Sequence, residues 1–177
     1  GACALVCPVG AIRESPRAIG VAETGRAGSV AFAQGRLNVG EPMAPPLIRA
    51  VKARRLPDAV ALFDSPPGTS CPVVATVRGA DFVVLVTEPT PFGLHDLALA
   101  VATLRPLGRP LGVVVNRADD DRRVQEYCQA ENLPVLAELP DDRRVAETYA
   151  RGELIFDRLP DWRDRFETLW TRIEERL

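Results

Sequence analysis

The sequence predicts an α/β fold, a parallel sheet covered by helices on both faces. Four apolar runs carry that expectation: A-V-A-L-F at 59–63, F-V-V-L-V at 82–86, L-G-V-V-V at 111–115 and V-L-A-E-L at 135–139. Each is too continuous to leave one face wet, as a half-exposed antiparallel strand would. Stretches with helical spacing of apolar residues separate the runs, and strands alternating with helices imply right-handed crossovers. With 177 residues and 46% hydrophobic content, the chain is long enough for one well-buried domain, while two full domains would be crowded.

In chain order, residues 18–37 carry two short apolar runs around glycines and read as a hairpin or a pair of short strands. Residues 45–55, P-P-L-I-R-A-V-K-A-R-R, place Leu47, Ile48 and Val51 on one helical face and Arg and Lys on the other. Further helical patterns cover 72–78, 93–107, 120–132, 143–149 and 162–176, interleaved with the four strand-like runs. Neither an internal repeat nor a low-complexity segment is evident.

Charge and hydropathy exclude some classes of partner. Lys and Arg number 22 against 24 Asp and Glu, a formal net charge of -2, so no basic footprint for nucleic acid exists. Apolar runs fall short of the ~18 residues that span a bilayer, and no charged-then-apolar leader is present, so a cytoplasmic setting is expected.

Ligands of parallel sheets bind beyond the carboxyl ends of the strands, so the residues that follow each run matter most. After the first run comes D-S-P-P-G-T. Asp64 there can hold a magnesium ion directly or through water, and Gly68 lets backbone approach a terminal phosphate closely. The same residues also suit a Pro-Gly turn with Asp at its first position. After the second run comes T-E-P-T-P-F-G, in which Thr90 can cap the helix that follows. His95, the single histidine, reads as a surface or capping residue. After the third run stands Asn116, whose amide has the donors and acceptor that read a purine edge and equally suits a turn. After the fourth come Pro140, Asp141 and Asp142, with one of the two acids expected as the next N-cap.

The cysteines, Cys3, Cys7, Cys71 and Cys128, are too sparse for a secreted disulfide framework and read as thiols or metal ligands. Cys3 and Cys7 form C-x-x-x-C-P, the form that ends the bacterial run holding a cubane iron-sulfur cluster. Such a cluster needs four thiolates, so the motif supplies half a set. Cys71 and Cys128 are expected to pack as small buried hydrophobes. The start at Gly1, already inside a cysteine motif, suggests a fragment.

Taken in order, C-x3-C-P-V-G-A-I, G-R-L-N-V-G-E-P, D-S-P-P-G-T-S-C-P, V-T-E-P-T-P-F-G-L-H-D-L, V-V-V-N-R and L-P-D-D resemble the MinD/ParA-like P-loop ATPases, in the branch with an inserted 4Fe-4S ferredoxin module. The resemblance covers most of the chain. It implies residues 1–17 as the end of a ferredoxin-like module and 18–177 as an incomplete MinD-like nucleotide-binding domain. Asp64 then resembles the switch aspartate sensing the magnesium-bound terminal phosphate, and Gly68 the switch glycine. Asn116 resembles the residue that hydrogen-bonds adenine, Pro140 and Asp141 the backbone lining the base pocket, and Cys3 and Cys7 cluster ligands. Cys71 stands seven residues after Asp64, the offset at which the related nitrogenase iron proteins place a bridging cluster ligand.

The family's phosphate loop, K-G-G-x-G-K-[ST], does not occur in these 177 residues, so this polypeptide alone is not expected to hydrolyse ATP appreciably. The resemblance implies ATP or ADP with magnesium and a 4Fe-4S cluster as cofactors. It further implies a homodimer and a redox or iron-sulfur acceptor protein as partners. Electron transfer or cluster delivery driven by an ATPase switch is the expected function. A non-catalytic iron-sulfur carrier or scaffold is the alternative, and a cobyrinate diamide synthase-like ligase ranks last.

Overall fold

The computed structural model describes residues 1–177, which fall into two compact units, Gly1–Asp64 and Ser65–Leu177. The first unit opens with a short helix, α1 (Ala2–Val6), and continues into an antiparallel hairpin of β1 (Gly20–Ala27) and β2 (Val30–Leu37). Its register runs unbroken from Gly20 opposite Leu37 to Ala27 opposite Val30. A turn this tight needs left-handed backbone, which Gly28 supplies at φ +59°. Helix α2 (Ala44–Lys52) then packs on the hairpin. Gly35 makes the approach possible, since a Cβ there would lie 2.8 Å from Leu47 Cγ, and Leu47 is the buried residue of α2.

The apolar run at 59–63 departs from expectation, because it forms no strand. Val60 and Leu62 are exposed, and the run lines an open groove of about 930 Å³ with Val30 and Phe32 of the hairpin and Val51 of α2. Apolar, β-branched sequence makes a strand only where a neighbour offers a ladder of hydrogen bonds. The only sheet in this unit is the two-stranded hairpin, whose strands pair with each other.

The second unit holds the parallel sheet. Its elements are α3 (Cys71–Val77), β3 (Val83–Thr87), α4 (Pro91–Leu104), β4 (Leu111–Ala118), α5 (Arg123–Ala130), β5 (Val135–Pro140), α6 (Arg143–Ala150), α7 (Ile155–Arg158) and α8 (Pro160–Glu174). The strands lie in the order β3-β4-β5, each pair parallel. Successive residues of β4 point to opposite faces, as pleating requires. Val113 and Val115 pack with Leu97 and Val101 of α4 and Val124 and Cys128 of α5. Val114 packs the other way, with Leu136, Leu139, Ile155 and Trp162. A third cluster joins Val73 and Val77 of α3 to Val83, Leu104 and Leu111. Helices therefore flank the sheet on both faces, as the alternating pattern predicted.

Full burial holds for the five apolar residues that open β4 and fails for β3. Val84 and Val86 are 37% and 66% exposed. In this unit β3 is an edge strand, and the cluster built around Trp162 covers β4 and β5 without reaching Val84 or Val86. Helix α4 starts at Pro91, earlier than the spacing suggested, because a proline at the first helical position is preorganised. Thr90 caps it as expected, its Oγ1 accepting from the Gly93 N–H at 3.0 Å. No helix is long and apolar enough to cross a membrane.

Candidate functional site

In the first unit, Cys3 lies within α1 and Cys7 follows its last residue. Chain turning back after Pro8 brings the Ala11 N–H to 3.3 Å from Cys7 Sγ, with Gly10 in left-handed geometry at φ +58°. Donation to sulfur favours the charged form, so the Cys7 thiol is held below its ordinary range, chiefly by Ala11 and next by Val9. The thiolate is the form of cysteine that binds a soft metal, and amide donation favours that form. Cys3 is exposed and Cys7 partly exposed, so both are open to a ligand. The pair fits half the ligand set of a cubane cluster and cannot by itself hold one, and no group of three or more candidate ligands converges anywhere. Asp64, the last residue of this unit, is exposed and follows irregular chain rather than a strand.

Gly68 and Cys71 belong to the second unit. Gly68 has φ +93° with open space where a Cβ would stand, so its backbone geometry, and not crowding, calls for glycine. Cys71 is the first residue of α3 and is exposed, contrary to the packing role expected of it. Helix α3 turns Val73, Thr76 and Val77 inward, and the first position falls outside that face. Cys128 is buried as expected, and burial pushes its thiol up to about 11.

The carboxyl edge of the sheet gathers the remaining candidates. Strands β4 and β5 are neighbours, with Asn116 opposite Leu139 and Ala118 opposite Pro140. Asn116, two residues before the last of β4, therefore lies at the same end of the sheet as Pro140, the last residue of β5, and Asp141, which follows it. Between the two pairs lies a bulge at Arg117, whose φ of +51° is uncommon for a residue with a side chain. Asn116 is partly exposed and Asp141 exposed, so both can meet a ligand.

Sequence reasoning missed three features of this edge. Thr87 ends β3 buried, and its Oγ1 donates to the Gly93 carbonyl at 2.8 Å. Glu88 beside it stands 3.6 Å from Arg117, an ion pair across the strand ends and too exposed to stabilise much. Asp142 is the one of the two expected acids that caps α6, its Oδ1 accepting from the Arg144 N–H at 2.9 Å, and the missed feature is its second bond, Oδ2 accepting from the Trp162 indole at 2.9 Å. Hydrogen bonds from the Arg144 guanidinium and then from Trp162 hold its carboxyl well below the usual carboxylate range. The T-E-P-T-P-F-G turn gave a signal for Thr87, and nothing local marked Arg117 or Trp162.

No protein-family model matches the chain. An uncharacterized protein of Methanocaldococcus jannaschii is 31% identical over 121 residues, which is 67% of this chain and 42% of that protein. The iron-sulfur cluster carrier protein of Aquifex aeolicus is 31% identical over 116 residues, 56% of this chain and 32% of that protein. The chain thus spans less than half the length of the curated relatives it matches. Among solved structures, the MinD cell division protein of Aquifex aeolicus shares the fold, with a TM-score of 0.53 and 20% identity over 64% of this chain and 52% of that one.

Proposed function

Because the chain belongs to the MinD/ParA-like P-loop NTPase family, in its iron-sulfur carrier branch, we propose that it forms the base-binding and switch part of an ATPase coupled to an iron-sulfur module. The observation that carries this reading is the convergence of Asn116 with Pro140 and Asp141 on the adjoining ends of β4 and β5. An amide carries both donors and an acceptor, so Asn116 can meet the ring nitrogen and amino group of adenine together. Proline has no N–H, so at position 140 only the carbonyl is free to accept from the base. Asp141 adds a backbone N–H beside it.

The phosphate end of the nucleotide falls to Asp64 and Gly68 in this reading. Asp64 would hold magnesium through water, and Gly68 would offer its N–H to the terminal phosphate. Pro66 and Pro67 stiffen the link between them, so loss of phosphate would move the turn and α3 together. Cys3 and Cys7 would give two of four thiolates to a 4Fe-4S cluster, the rest coming from outside these residues. Cys71, exposed at the start of α3, would face a second subunit. The output would be electron transfer or cluster delivery to an acceptor protein, in a cytoplasmic homodimer.

A second reading, an iron-sulfur carrier without useful hydrolysis, draws support from the name borne by the Aquifex aeolicus relative. Anaerobic calorimetric titration with Mg-ADP tests the base site first. Binding by the wild-type chain, weakened about tenfold or more in Asn116→Ala, is expected for a purine-edge contact (roughly 1–3 kcal/mol for a buried polar group left unpaired). Equal binding by both would remove Asn116 from the site. In a longer protein that carries these residues together with a phosphate loop, ATP hydrolysis should fall in Asp64→Asn, and an absence of turnover in both that protein and its variant would favour the carrier.

A further inference from the structure

Trp162 is buried at 4% exposure, yet it carries a polar N–H that must find a partner. That partner is Asp142 Oδ2, at 2.9 Å and twenty residues away in sequence. Asp142 closes the turn that Pro140 and Asp141 form at the end of β5, and its other oxygen caps α6. The Arg144 guanidinium grips the same carboxylate at 2.6 Å and reaches Asp161, the neighbour of Trp162, at 2.7 Å. Beneath the turn, the indole shares a packed cluster with Leu139, the residue opposite Asn116 in the sheet register. One side chain of α8 therefore supports the turn from below, through Leu139, and from its far end, through Asp142.

A serine or threonine at position 142 would cap α6 equally well. Its single oxygen would leave the indole N–H unpaired, so capping alone does not account for an acid there. We propose that Trp162 is a positioning residue for the Leu139–Asp142 turn, acting through its hydrogen bond to Asp142, and that it thereby sets how well the site tells one purine from another. This rests on the reading of Asn116, Pro140 and Asp141 as a base site. Backbone atoms at 140 and 141 read a base only if they are held to within a few tenths of an ångström, and exposed turn residues do not hold themselves.

The full chain tests this with Trp162→Phe, which keeps the buried ring and removes the N–H donor, and with Asp142→Ser, which keeps the cap and removes the second oxygen. Two measurements are made on each: amide hydrogen exchange along residues 139–144, and the ratio of affinities for Mg-ADP and Mg-GDP. Both variants are expected to exchange faster in the turn while β4 stays protected, and the ADP-to-GDP ratio is expected to shrink about tenfold, the effect of one misdirected hydrogen bond. A merely structural role would lower thermal stability and leave that ratio alone, and this result would overturn the proposal. Unchanged exchange at 139–144 in both variants would overturn it as well. If the wild-type chain bound neither nucleotide, the base-site reading would fall, and faster turn exchange in the variants would still establish Trp162 as what holds the turn.

Discussion

Thr87 Oγ1 donates to the Gly93 carbonyl at 2.8 Å, tying the end of β3 to the first turn of α4 across six residues. The bond needs the chain to double back tightly, and Gly93 is what lets it. A Cβ at 93 would collide with the Glu88 carbonyl and stand 3.0 Å from Thr87 Oγ1. Two effects compete on replacing Gly93 by Ala. Helix propensity favours Ala by up to ~1 kcal/mol, while forcing backbone apart costs about 1–3 kcal/mol. The clash is with a carbonyl that cannot swing aside, so Gly93→Ala is expected to lower stability. Urea denaturation checks it, and a raised midpoint would show that the turn gives way cheaply.

Cys7 is expected to alkylate at lower pH than an ordinary thiol. Amide donation, from Ala11 first, favours the thiolate and lowers its titration midpoint. Iodoacetamide labelling followed by mass spectrometry against pH reads the midpoint directly. Replacing Ala11 with Pro deletes the leading donor, so the Cys7 midpoint should rise toward the usual thiol value. A Cys7 curve that does not move with this change would mean the amide bond has no hold on the sulfur.

The two later cysteines should separate cleanly in reactivity. Cys71 is exposed, whereas Cys128 is 1% exposed with its thiol pushed up to about 11 by burial. A thiol reagent at neutral pH should therefore label Cys71 quickly and Cys128 only when the fold opens. Comparable labelling rates in native buffer would contradict the packing of Cys128 against Val113, Val115 and Val124.

Asp142 gives the second unit an acid-sensitive clamp. Its folded carboxyl lies below its unfolded value, held there by Arg144 and then Trp162. The sign follows from proton uptake: the unfolded chain binds the proton more readily, so the contribution is complete above about pH 4 and is lost as pH falls toward the folded value. Asp142→Asn should be less stable than wild type at pH 7, and the gap should narrow by pH 3. Thermal melts at both values test this, and a gap that does not change with pH would mean that the charge of Asp142 contributes nothing, since Asn caps a helix as well as Asp does.

Substitutions on the two outer strands, β5 and β3, separate a covered position from an uncovered one. Leu136 is completely buried between β4 and α8, so Leu136→Ala should cost about 2–5 kcal/mol. Val86→Ala, on the exposed face of β3, should cost far less, since it is 66% exposed. Similar losses at both would mean that Val86 is covered in solution.

Local sequence determined much of this protein. The continuous apolar runs gave β4 and β5 and the glycines the hairpin turn, and Thr90 and Asp142 cap the helices that follow them. Those features depend on dihedral preference, burial and bonds reaching two or three residues along the chain, and a sequence states all three. Tertiary structure decided which apolar runs find a neighbour. The run at 59–63 and the strand β3 look alike as sequence, yet one is unpaired and the other is an edge, because a ladder of hydrogen bonds belongs to two segments and neither encodes the other. Tertiary structure also put Cys71 outside the packed face of α3, placed Arg117 in left-handed geometry at the bulge and brought Trp162 to Asp142. Each of these is set by what lies alongside in space, and spacing along the chain carries no record of it.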